Sequence, residues 1–215
     1  MKKIISFSLW GDKPMYTIGA IKNADLALDV YPDWICRYYV GKSVPIDIIT
    51  SLVERKNTEV FVMNEQGDWT GMFWRFYPAS DADVDIMISR DTDSRLNLRE
   101  KAAVEEWLTS DKDFHIMRDH PHHATEILGG MWGIRGNRLS NMKQMIRDYT
   151  KGDFWQIDQN FLKERVYPVI INHVCVHDEY FEKKPFPTKR VPKSFVGQAY
   201  NKNDEIMYPE HAKML

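Results

Sequence analysis

The sequence lacks the features that would place it in several broad classes. It has two cysteines in 215 residues, Cys36 and Cys175, too few for the disulfide framework of a small secreted domain. Both lie in apolar runs and read as buried thiols, the pattern of a reducing compartment. No apolar run approaches the ~18 residues of a membrane span. The opening MKKIISFSLWGD is interrupted by Ser6, Ser8 and Asp12 and does not read as a signal peptide. Neither sign of charge dominates: 29 Lys+Arg face 31 Asp+Glu, a formal net charge of −2. That balance argues against a dedicated nucleic-acid or anionic-membrane binder, which depends on a basic surface. Internal repeats and low-complexity tracts are absent. An aromatic content of 13% and a hydrophobic content of 43% exclude a disordered chain and suffice for one large domain with its own core. The expected setting is the cytoplasm, or the host-cell cytoplasm for a viral protein.

What is present alternates between strand and helix. Residues 2–9 are β-rich, and Trp10 to Pro14 breaks the run. Ile21, Ala24 and Leu28 then recur at helical spacing up to Tyr31-Pro32. Residues 34–40 form a second strand, Pro45 opens a second helix, and residues 59–63 form a third strand. This β-α-β-α-β order predicts a mostly parallel sheet with helices on its faces. Residues 67–79 are aromatic and irregular, a sugar-cleft rim or a cap over the sheet. Further strands are expected at 84–89, 114–117, 127–134 and 169–176, and helices at 98–108, 139–149 and 157–165. After Phe181, Pro185, Pro187 and Pro192 predict a wrapping segment, 181–215, of a single domain spanning 1–215.

Chemistry concentrates where the apolar run Val84–Ser89 enters Arg90-Asp91-Thr92-Asp93-Ser94-Arg95. In an open α/β sheet, ligands bind beyond the carboxyl ends of the strands. Two carboxylates one residue apart on a turning backbone can face a common point. Hard oxygen donors of this kind suit Mg²⁺ or Mn²⁺ with phosphate oxygens completing the shell. Arg90 and Arg95 could pair with the carboxylates or meet a diphosphate. The bland alternative is a solvated acidic turn. Asp119-His120-Pro121-His122-His123 offers zinc-ligand types, but it reads equally as a polar pocket loop or plain surface. Gly129 and Gly130 allow close approach by a ligand or another backbone, or mark a bulge beside a core Trp132. Asp158 could cap the helix that follows it or stand with Gln159 in the cleft. His177, just past a strand, could be a third metal ligand.

Taken in order, these motifs resemble the GT-A-fold glycosyltransferases. The resemblance implies a Rossmann-like mixed sheet, mostly parallel and flanked by helices. It implies Mn²⁺ or Mg²⁺ held by Asp91 and Asp93 against the diphosphate of a nucleotide-sugar, with His177 completing the metal site. An Asp-Gln pair opening a late helix, as in some retaining members, matches Asp158-Gln159 near the donor sugar. A Lys-Pro-aromatic step downstream matches Lys184-Pro185-Phe186. Ser6, Phe7, Ser8 and Leu9 would hold the base, and Thr92, Gly129 and Gly130 would line the donor site. More narrowly the chain resembles the chlorella-virus transferase domains that build capsid glycans, which implies a domain excised from a longer polypeptide.

The expected activity is metal-dependent transfer of a hexose or 6-deoxyhexose, glucose or rhamnose, from a UDP-sugar to a glycan acceptor. No nucleic acid and no direct membrane insertion are expected. Arg75, Arg90 or Arg95 would help to stabilise charge on the leaving diphosphate. Asp158, or Asp119 for an inverting reaction, would serve the reacting centre. A metal-dependent phosphoesterase and a non-catalytic carbohydrate-binding module are the alternatives.

Overall fold

The computed structural model describes residues 1–215. Its centre is a seven-stranded sheet in the order β3-β2-β1-β4-β6-β5-β7. The strands are β1 (Lys3–Leu9), β2 (Ile35–Val40), β3 (Thr58–Val62), β4 (Ile86–Ser89), β5 (Phe114–Arg118), β6 (Trp132–Arg135) and β7 (Val174–Asp178). Neighbours run parallel except β6, which is antiparallel to both β4 and β5. The α/β class with a mixed, mostly parallel sheet is as the strand-helix alternation predicts.

Period-two alternation assigns each residue of β1 to a face. Ile5, Phe7 and Leu9 join the core under α1 (Pro14–Val30), while Ile4 joins the core on the opposite face. The buried face of α1 is lined with Ala20, Ala24 and Ala27, small side chains that let the helix sit close to the sheet. Phe7 stacks on Tyr38 with ring centroids 4.8 Å apart. The second core gathers Phe73, Phe76, Trp132 and Phe161. Most of the aromatic stretch is therefore a cap over the sheet, coiled as a 3-10 helix from Trp69 to Ser80. Trp69 alone among its tryptophans is exposed.

Two expected strands are displaced. Residues 127–131 turn instead of extending, and the strand begins at Trp132. The carbonyl of Gly129 accepts a hydrogen bond from Ser89 Oγ at 2.6 Å, which anchors the turn to the end of β4. The helix that opens as α5 (Ile157–Phe161) continues through a π turn and α6 (Tyr167–Ile170), with a last 3-10 turn ending at His173. Phe161, Leu162, Val166 and Ile170 keep a helical spacing into the core, so β7 starts only at Val174. The other helices are α2 (Ile46–Val53), α3 (Leu98–Thr109) and α4 (Met142–Arg147).

Candidate active site

The Asp91–Asp93 turn lies just beyond the carboxyl end of β4, beside the end of β1. Buried Asn23 of α1 fixes it: its Nδ2 donates to the carbonyls of Thr92 (3.3 Å) and Ser94 (2.9 Å), and its Oδ1 accepts from Leu96 N (3.1 Å). The turn presses so closely on α1 that a Cβ at Gly19 would overlap the carbonyl of Thr92. From the far side the C-terminal segment braces it, with Tyr200 N donating to the Asp93 carbonyl at 2.8 Å.

A cleft of about 610 Å³ opens here. Ser8 and Leu9 at the end of β1, Arg75, Asp91, Thr92, Asp93, Gly129, Gly130, Asp158 and Gln159 all border it. Arg75 is the link between its acids. The guanidinium bonds Asp91 on one side and reaches Asp158 Oδ2 at 2.7 Å on the other. The turn at Gly129-Gly130 passes where a side chain would collide with the Asp158 and Asp91 carboxylates respectively, so both positions require glycine for close approach. Asp158 does not cap its helix; Gln156 holds that position, with φ of 68°. A left-handed glutamine costs roughly 1–2 kcal/mol, and here it turns the chain into the helix between two cleft residues, Trp155 and Asp158.

Electrostatics distinguish the acids. Burial, with Asp91 close by, pushes Asp93 up to about 7. Burial also pushes Asp158 upward against the opposing pull of Arg75. Asp158 is 1% exposed, yet its Oδ1 has no hydrogen-bond partner. Asp93 is thus a half-buried carboxylate without a cation of its own. Two hard oxygen donors meet the chemistry of Mg²⁺ or Mn²⁺, which complete their shells with waters and phosphate oxygens. The donor set fits such an ion, without a third protein ligand: no three His, Cys, Asp or Glu groups are close enough to share a metal.

Several expected site residues lie elsewhere. His177 is inside β7, where its Nδ1 meets His115 Nε2 at 2.9 Å and its ring lies against Phe186. It does not border the cleft. Asp119 is fully buried in an ion-pair hub: Arg99 reaches it through Nε and Nη2, both at 2.9 Å, Arg190 at 2.6 Å, and Val196 N at 2.9 Å. Every acceptor direction is taken, so Asp119 is not placed to act as a base. Arg90 turns to α3, pairing with Glu100 at 2.9 Å while both side chains are 2% exposed. Arg95 is bound to Asp204 at 2.8 Å and lies over Tyr200. Ser6 and Phe7 are buried within β1, away from the cleft. In the histidine loop His123 reaches the cleft, held neutral by burial that pushes it down to about 3. His120 and His122 pack with His211 instead.

Trp69, from the stretch read as a cleft rim or a cap, borders the cleft. Trp10, Lys13, Tyr16, Met131, Trp155 and Gly197 border it too, and no motif in the sequence marked them as site residues. Trp10 and Lys13 follow β1 directly, so the strand-end rule could have found them. Gly197 arrives through a tail with no sequence signal.

The seven-stranded, mostly parallel sheet with β6 antiparallel between β4 and β5, and helices on its faces, is a GT-A-like fold. No family model matches the sequence, and no curated protein matches it. Among solved structures, the chain is similar to a glycosyltransferase involved in glycosylating the major capsid of PBCV-1. The two share 14% identity over 100% of both chains, with a TM-score of 0.58. Glucosyl-3-phosphoglycerate synthase from Mycobacterium tuberculosis is similar at 10% identity over 89% of this chain and 73% of that one, with a TM-score of 0.52. A Bacillus anthracis protein assigned as a glucose-1-phosphate thymidylyltransferase matches at 11% identity over 83% and 86%, with a TM-score of 0.51. The fold is therefore one shared by glycosyltransferases and nucleotidyltransferases. No helix is long and apolar enough to cross a membrane.

Proposed function

We propose that the chain is a metal-dependent glycosyltransferase that moves a hexose or 6-deoxyhexose, glucose or rhamnose, from a UDP-sugar to a glycan acceptor. The observation that carries this reading is the convergence of Asp91, Asp93, Arg75 and Asp158 on one cleft at the carboxyl ends of the parallel strands. Asp91 and Asp93 would hold Mn²⁺ or Mg²⁺, which when bound supplies Lewis-acid stabilisation of charge on the leaving diphosphate. In the reaction the bond from the anomeric carbon to the diphosphate oxygen breaks and a bond to the acceptor oxygen forms. The acceptor's proton departs to a carboxylate or to water. Arg75, charged and buried, holds Asp158 Oδ2 in place. That leaves Oδ1 of Asp158 free to serve the reacting sugar, as a carboxylate that stabilises oxocarbenium character.

The charge of the cleft favours this over nucleotidyl transfer. Six aspartates border it against one lysine and one arginine. A nucleoside triphosphate together with a sugar phosphate would bring more negative charge than such a site accommodates. A phosphoesterase with two protein-held metals lacks its ligand clusters here. The α/β sheet departs from the all-β architecture of most carbohydrate-binding modules. Calorimetric titration of UDP, with and without Mn²⁺, tests the proposal. Binding that needs Mn²⁺ and is lost in Asp91→Asn/Asp93→Asn is expected. Absence of UDP binding to the wild type in Mn²⁺ would overturn it.

A further inference from the structure

The mouth of the cleft carries features that a nucleotide-sugar donor alone does not require. Trp155 is 65% exposed and Trp69 is 44% exposed, although both border the cleft. A large aromatic face left in water beside a cavity is a docking platform for a flat apolar partner. Each tryptophan is accompanied by a carboxylate that also borders the cleft, Asp68 beside Trp69 and Asp153 two residues before Trp155. Asp68 is fixed in orientation because it accepts from Thr70 N at 2.8 Å. An aromatic face with neighbouring acceptors matches a pyranose, whose ring presents C–H bonds on its faces and hydroxyl donors around its edge.

Charge narrows the partner further. The six aspartates outnumber the cations by four, and the acids remain in excess even with Asp93 and Asp158, which burial pushes toward the protonated form, left out. A divalent ion and the diphosphate it neutralises cancel each other, so that excess remains when donor is bound. An acceptor carrying a carboxylate, sulfate or phosphate would enter against this field. A neutral glycan enters freely and donates hydroxyl hydrogen bonds to carboxylates that lack other partners. Asp158 Oδ1, buried and unpaired at the inner end of the same cleft, is one such acceptor.

We infer that the cleft mouth is an acceptor subsite for an uncharged pyranose, with Trp155 as its stacking platform and the surrounding aspartates excluding anionic sugars. This rests on the glycosyltransferase reading for the word acceptor, while the saccharide site itself stands apart from it. The probes are methyl β-glucopyranoside, methyl β-galactopyranoside and methyl β-xylopyranoside as neutral ligands, with methyl β-glucuronide and methyl glucoside 6-phosphate as charged counterparts. Binding is followed by tryptophan fluorescence without nucleotide. UDP release from UDP-glucose and UDP-rhamnose in Mn²⁺ is followed separately. At least one neutral glycoside should bind and accelerate UDP release, and the charged pair should do neither. Trp155→Ala should weaken that glycoside about tenfold, the equivalent of one lost aromatic contact, and Trp155→Phe should restore most of it. Calorimetry of UDP with Mn²⁺ on each variant identifies one that has not folded. Equal binding of neutral and charged sugars, or unchanged glycoside affinity in a folded Trp155→Ala, would overturn the inference. Glycoside binding in a wild type that fails to bind UDP would sink the transferase reading and leave the saccharide site standing.

Discussion

Asp119→Asn separates a structural carboxylate from a catalytic one. The aspartate is 0% exposed and accepts from two arginines and a backbone N–H. Asparagine keeps the size but presents an amide N–H₂ to a guanidinium, donor facing donor, and removes the charge that both cations need. Arg99 and Arg190 side chains are 9% and 19% exposed, so solvent compensates little. Breaking a buried pair from one side costs about 3–5 kcal/mol. Arg99 keeps a second partner, Glu179, at 2.6 Å, which points to the lower end, about 3 kcal/mol. For a chain of this size each kcal/mol lowers Tm by roughly 2–4 °C, so a drop of about 6–12 °C is expected. Differential scanning calorimetry measures it, with UDP release from a UDP-sugar at 20 °C as the companion assay. The folded fraction should turn over at close to the wild-type rate. An unshifted Tm with UDP release abolished would refute the reasoning and restore Asp119 to the reacting centre.

Other outcomes follow from the same geometry. Gly130→Ala places a methyl group against the Asp91 carboxylate and 3.0 Å from its backbone nitrogen; Mn²⁺-dependent UDP affinity should fall about tenfold or more, near 1.4 kcal/mol, and wild-type affinity would mean that Asp91 does not hold the ion. Burial lowers His115 well below 6.5, so the unfolded chain binds a proton there that the folded chain refuses. The stability it contributes is complete above pH 6.5 and declines as pH falls below it. Thermal unfolding at pH 7.5 and 5 should therefore show a smaller acid loss for His115→Asn than for the wild type, and parallel curves would count against a buried neutral imidazole.

Local sequence carried much of the architecture. The strand at residues 2–9 and the helix running up to Tyr31 were legible from local pattern, but the buried face of α1 is Ala20, Ala24 and Ala27, and Leu28, which shares the spacing of Ile21 and Ala24, is exposed. The place of the Asp-x-Asp turn at the sheet rim was legible because it follows directly on the apolar run that forms β4. Asp158 was legible through its place at a helix start, and the structure adds why it matters: Arg75, 83 residues away in the chain, brings it to Asp91.

What the sequence could not decide was which polar groups near the strand ends face the cleft. His177, Arg90 and Arg95 have suitable chemistry, but their partners His115, Glu100 and Asp204 are distant in sequence or on another element. Each pairing is settled by packing, because a buried charge or imidazole takes whichever partner the fold delivers. The turn at residues 127–131 is similar. Glycines beside apolar residues read as a strand, and only the carboxylates of Asp91 and Asp158 pressing against them reveal why no side chain is there. The sequence by itself determined the alternating α/β order and the acidic turn, through periodicity and residue chemistry. Tertiary structure alone decided which acids share a cleft, since that depends on contacts between segments that no local pattern encodes.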